Sequence, residues 1–172
     1  FFLRLGHRQR CEEIWSEWRA LVEHSGQAHT LIAGMMLNGF SMYMDGRLEE
    51  TVEIARRIRS RGEELGLTEY AAVLGTICGM RPRIYLGRAD RTLQRNVESA
   101  RDSNTKLFCL AYIGREAEAI AMLDQFVLAR PGIGTAKDTT PVDVDIISLE
   151  AAVLVRHREA AELLLYLSLI HI

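Results

Sequence analysis

Gly39-Phe40-Ser41-Met42-Tyr43-Met44-Asp45-Gly46-Arg47-Leu48-Glu49-Glu50-Thr51 ends one helix and begins another. The residues before Gly46, from about Gln27 to Asp45, are rich in Leu, Met, Ala and Gly and hold to the helical period. From Arg47 the pattern turns amphipathic. Leu48, Thr51, Val52, Ala55 and Ile58 step along one helical face. Glu49, Glu50 and Glu53 near the start of this second helix and Arg56, Arg57, Arg59 and Arg61 near its end complement the helix dipole. Gly46 stands where the chain must turn, because glycine accepts the left-handed conformation of a helix C-cap. Thr51, five positions later, lies in the first turn of the second helix. A large side chain there would force the two backbones apart.

The same signal recurs. Gly6-His7 is followed by Cys11, Gly87-Arg88 by Thr92 and Gly114-Arg115 by Ala119. A fifth copy has Arg156-His157 with Ala161, so arginine fills the glycine slot, which predicts a strained or differently shaped last turn. The anchors are 40, 41, 27 and 42 residues apart. A period of this size predicts stacked helical hairpins. The fold class expected is all-α, an α-solenoid of about five hairpins over residues 1–167.

Each hairpin has an apolar helix A before its anchor and an amphipathic helix B after it. The first helix B carries Cys11, Ile14, Trp15, Trp18, Leu21 and Val22 at core spacing. The third hairpin pairs 68–86 with 88–102. The fourth pairs a short helix A over 104–113 with 115–129, where Ala119, Met122, Leu123, Phe126 and Val127 are the expected core. Pro82 inside the third helix A removes a backbone hydrogen bond and should kink it. One true loop covers residues 130–139. Thr140 then reads as an N-cap with Pro141 in the first helical position, and the fifth helix A runs to Val155. The last helix B begins near Arg158.

These features resemble the tetratricopeptide repeat. Gly39 and Gly46 have that family's offset of seven residues from a small mid-helix residue to the turn, and Pro131 stands where its closing proline belongs. The resemblance implies right-handed stacking of tetratricopeptide-like hairpins. The runs Gly114-Arg115-Glu116-Ala117-Glu118-Ala119, Leu149-Glu150-Ala151-Ala152-Val153-Leu154 and His157-Arg158-Glu159-Ala160-Ala161 resemble the C-terminal arrays of bacterial nucleotide cyclases and ATP-dependent signalling regulators. That likeness implies the repeat region of a larger bacterial signalling protein. Phe1-Phe2-Leu3 reads as the tail of a helix whose beginning is missing, and residues 168–172 as a non-native tail.

Composition narrows the roles. A net charge of −2 over 172 residues gives no general pull toward nucleic acid or an anionic membrane. Cys11, Cys78 and Cys109 are odd in number and far apart, which fits a reducing cytoplasmic setting and no zinc site. No apolar run reaches the ~20 residues that span a bilayer. His24 and His29 do not share a helical face, and His7 and His157 follow turn anchors, so no metal is expected. Gly132-Ile133-Gly134 lacks the lysine of a phosphate loop. Asp143 and Asp145 are read as first-turn acids.

No catalytic set or cofactor is expected. The expected role is a non-enzymatic interaction or regulatory scaffold, whose partner is a protein, a peptide or other domains of the same chain. The alternative is an array that senses a ligand or peptide in its groove. The candidate contacts are Met42, Tyr43, Arg81, Arg83, Tyr85 and Tyr112 on helices A, with Arg88, Arg91 and Arg95 at i, i+3 and i+7 offering a basic face for an acidic or phosphorylated segment.

Overall fold

The computed structural model describes residues 6–96, 103–135 and 137–170. Every regular element among them is helical: α1 (Arg8–Ser25), α2 (Ala28–Met44), α3 (Leu48–Glu64), α4 (Thr68–Tyr85), α5 (Ala89–Asn96), α6 (Ser103–Tyr112), α7 (Glu116–Leu123), α8 (Val142–Leu154) and α9 (Arg158–Ile170). A π turn over Asp124–Leu128 prolongs α7. The chain divides into two compact units, Phe1–Leu86 and Gly87–Ile172.

The five anchors share one backbone conformation. Gly6, Gly46, Gly87 and Gly114 have φ of +76°, +75°, +71° and +76°. Arg156 has φ +57° and is the one described non-glycine residue with positive φ. At Gly46 the turn closes by Arg47 N–H on Met42 O (2.9 Å) and Gly46 N–H on Tyr43 O (3.0 Å), the paired bonds of a Schellman cap. The same two bonds close the turn at Gly114, and again at Arg156, where His157 N–H reaches Ala152 O at 2.8 Å. The last turn therefore keeps the common shape and carries the strain. A left-handed L-residue costs roughly 1–2 kcal/mol, and the exposed Arg156 side chain offsets none of it with an ion pair to a described residue. Arg156→Gly is expected to stabilise the protein by about 1 kcal/mol, measured as a raised urea midpoint at unchanged slope.

The small residue five positions on has a definite task. Its N–H makes the first bond of helix B to the carbonyl of the residue after the anchor, as in Thr51 to Arg47 (3.0 Å) and Ala119 to Arg115 (3.1 Å). Cys11, Thr51, Thr92 and Ala119 are buried there. In the fifth copy Ala161 is half-buried and its neighbour Ala160 is the closed-in residue. A sixth copy of the turn lies between α3 and α4: Gly66 has φ +70°, Leu67 N–H reaches Gly62 O at 2.7 Å, and Ala71 is buried. Leu67 in place of Arg or His conceals it in the sequence.

In the first unit α2 packs on α1, and α4 packs on both α2 and α3. The core is Ile32, Ile54, Ala55, Ile58, Ala71 and Cys78, flanked by Met35, Met36, Met42 and Leu74. α3 and α4 meet where Gly62 faces Ala71. A β-carbon on Gly62 would overlap the Ala71 methyl, so only glycine permits this approach. Leu21, expected in the core, is exposed. α4 runs through Pro82 to Tyr85.

In the second unit α6 packs on α5, and α8 on both α6 and α7. Leu107, Phe108, Cys109 and Leu110 of α6 are fully buried, a run of consecutive apolar residues that covers every side of the helix. Phe126, expected in the core, is exposed. The π turn, closed by Ala129 N–H on Asp124 O (2.9 Å), spends five residues on one turn and rotates Phe126 outward while Val127 stays buried. Pro141 is the N-cap of α8, with extended backbone, rather than its first helical residue. Part of the expected third helix B, residues 97–102, lies outside the described residues.

Candidate functional site

The candidate contacts separate into groups. In the first unit, α2 and α4 bring Tyr43 and Tyr85 together as stacked rings with centroids 6.4 Å apart. Arg81 Nη1, one turn before Tyr85, donates to its hydroxyl at 3.2 Å. Val73 and Ile77 continue this face of α4 at four-residue steps and are also exposed. Arg83 folds its guanidinium back over Gly79. Met42 is half-buried against the core, so it supports the face more than it presents it.

Of the expected basic face, Arg88 lies at the start of α5 and Arg91 on its first turn. Arg88 precedes α5 as its turn residue, and its carbonyl accepts from Thr92 N–H at 3.0 Å. Arg91 is exposed, and the side chain of Arg95 lies outside the described residues. Tyr112, at the end of α6, donates its hydroxyl to Glu150 on α8 at 2.7 Å and packs edge-on against Phe108. It serves the packing of the second unit.

Several side chains examined for chemistry are committed elsewhere. Burial pushes the Cys78 thiol up to about 11, with the Arg83 charge opposing the shift, so the nucleophilic thiolate is disfavoured. His157 has both ring nitrogens occupied. Nδ1 accepts from Ala160 N–H at 3.3 Å and Nε2 faces Asp124 Oδ1 at 2.9 Å. A nitrogen that accepts a backbone N–H carries no proton of its own, so the proton sits on Nε2 and points to Asp124. The ring caps α9 and ties it to the π turn. His24 Nδ1 is on Ala20 O at 2.6 Å, and His29 lies against the Tyr70 ring. Among the described residues no three His, Cys, Asp or Glu side chains converge as metal ligands, and no helix is long and apolar enough to cross a membrane.

Packing creates two further features. The first is ionic and lies in the second unit. Arg130 donates from Nη1 to Asp145 at 2.8 Å and from Nη2 to Asp138 at 2.9 Å, with all three side chains 12–13% exposed. Asp145 is therefore the buried anchor of the 130–139 loop and no mere first-turn acid. Burial pushes the Asp138 carboxyl up. Hydrogen bonds from Thr140 and the charge of Arg130 pull it down further, and the net position is below the usual carboxylate range.

The second is a cleft of about 480 Å³ in the first unit, between the early turns of α2 and the late turns of α3. Leu31 and Met35 of α2 line one side, and Arg56, Arg57, Ser60, Arg61 and Glu64 of α3 the other. The signal was present as four arginines within six residues, 56 to 61, opposite a helix that has no Asp, Glu, Lys or Arg. Which face of α3 met α2 was not in the sequence.

The chain matches no protein-family model, no curated protein and no solved structure.

Proposed function

We propose that this chain is a non-catalytic helical-repeat module, a right-handed solenoid of tetratricopeptide-like hairpins that binds a protein or peptide partner or another domain of its own parent chain. The observation that carries the reading is the common turn. One cap geometry is used at the hairpins α2–α3, α6–α7 and α8–α9, even where arginine must adopt it. Within each unit, helix A of one hairpin rests on both helices of the hairpin before it, which is the packing rule of a repeat array. A regulatory role in a cytoplasmic bacterial signalling protein follows from the resemblance of the turn sequences.

The contact face in this proposal is the exposed Tyr85, Val73 and Ile77 with the half-buried Tyr43 and Arg81 beside them, because tyrosine and arginine dominate protein interfaces. Photo-crosslinking tests it. A photoreactive phenylalanine analogue at Tyr85 is expected to give a discrete crosslinked species in cells of the source organism, and the same analogue at Arg158 none. Absence of crosslinks from Tyr85, or equal crosslinking from both positions, would count against it. The alternative, an array that senses a small ligand, draws on the α2–α3 cleft, whose volume lies within the ~300–1,000 Å³ of ligand pockets.

A further inference from the structure

We propose that the α2–α3 cleft binds an acidic peptide segment, with its carboxylates on Arg57 and Arg61 and an apolar side chain of the same segment against Leu31 and Met35; this rests on the interaction-module reading above. The cleft has two chemically different walls. α2 contributes only apolar groups to it, and α3 contributes guanidinium groups and the Ser60 hydroxyl. Three arginines face one carboxylate, Glu64, so the lining carries a net charge of +2, from +3 and −1. Part of that charge is already matched. Arg56 is held by Glu53 through bonds of 2.9 and 2.6 Å, and Arg61 reaches Glu64 at 2.6 Å. Arg57 is exposed and makes no ion pair with any described residue.

Arg57, Ser60, Arg61 and Glu64 lie three and four residues apart, on one face of α3. They line a slot in which a carboxylate can bridge successive turns. Glu64 is itself the model of such an occupant, since it already places a carboxylate on Arg61. An incoming acidic residue would displace it or extend the row. Arg57 sits nearly two turns before the end of α3, and the negative end of the helix dipole acts mainly over the last turn, so the anion is not repelled there. An extended acidic segment with an apolar residue fits both walls. A wholly apolar peptide would leave the guanidinium groups without an anion, and inorganic phosphate would leave Leu31 and Met35 uncovered.

Fluorescence anisotropy tests this with the whole chain and two labelled peptides, one of alternating Glu and Leu and one with Gln for each Glu. The acidic peptide is expected to bind, and the Gln peptide to bind at least about tenfold more weakly. Arg57→Gln is expected to weaken the acidic peptide by about fivefold, the upper range for an ion pair that keeps contact with water. Arg158→Gln, a surface change on α9, is expected to leave affinity unchanged. Equal loss in the two variants, equal binding of the two peptides, or displacement of the peptide by an equal concentration of inorganic phosphate would overturn the proposal. Failure of peptide binding with Tyr85 crosslinks intact removes the cleft and spares the module. Peptide binding without Tyr85 crosslinks removes the Tyr43–Tyr85 face and keeps the module, with the cleft as its contact site.

Discussion

Arg130→Met is expected to lower the stability of the second unit by about 3 kcal/mol at pH 7, the low end of the range for breaking a buried ion pair. The low end applies because each side chain in the cluster keeps an edge in water. Methionine replaces the aliphatic stem of arginine and omits its guanidinium, so the loss comes chiefly from two carboxylates, Asp138 and Asp145, left facing each other without their cation. Removing those charges should undo much of the damage. Arg130→Met combined with Asp138→Asn and Asp145→Asn is expected to recover more than half of the loss in urea melts followed by circular dichroism. If the triple variant is no more stable than the single one, the ionic account is wrong and arginine acts through packing.

The same cluster sets a pH signature with a definite sign. The Asp138 carboxyl lies below its ordinary range when folded, so its contribution is complete above the unfolded value of about 3.9 and is lost as pH falls through the depressed folded value. The gap between the native protein and Arg130→Met is therefore expected to narrow as the pH falls from 7 into the acid range, because the unpaired carboxylates of the variant protonate first and the native Asp138 last. A gap that widens in acid would contradict the assignment.

The second large effect compares two leucines in the same place in the repeat. Leu123 and Leu165 each stand nine residues after their anchors, Gly114 and Arg156. Leu123 is fully buried and Leu165 is 52% exposed. Leu123→Ala is expected to cost about 3 kcal/mol, from lost transfer energy and the cavity left behind. Leu165→Ala is expected to change stability by less than about 0.5 kcal/mol. Val153, three residues before its anchor, is likewise 62% exposed where Ala111 and Ile84 at that position are buried. Similar costs at Leu123 and Leu165 in thermal melts would mean that Leu165 is covered in solution.

What the sequence made legible was local. A left-handed turn demands glycine, and the helix that follows demands a small residue within its first turn. Both demands are met by residues within six positions of each other, so the turns at Gly46, Gly87, Gly114 and Arg156 were legible. The turn at Gly66 was missed because the rule included a basic residue, whereas the backbone requires only the glycine. Arg130 and Asp145 lie fifteen residues apart across a loop, and no periodic pattern links them. Phe126 was misplaced because a π turn changes the number of residues per turn, and a period of 3.6 cannot register the slip. The contact residues fared unevenly for a related reason. Tyr43 and Tyr85 meet across α2 and α4, and Tyr112 is held by Glu150. The basic cleft depends on which faces of α2 and α3 are turned to each other, and that is decided only by packing.

The uniform turn also bears on how such a chain changes over generations. At Gly46, Gly66, Gly114 and Arg156 the backbone leaves one helix and enters the next through the same two hydrogen bonds. A recombination event that joined the coding sequence at any two of these points in frame would make a joint with native geometry. Hairpins could then be gained or lost as whole cassettes, with selection acting on the surfaces they bring and not on the junctions.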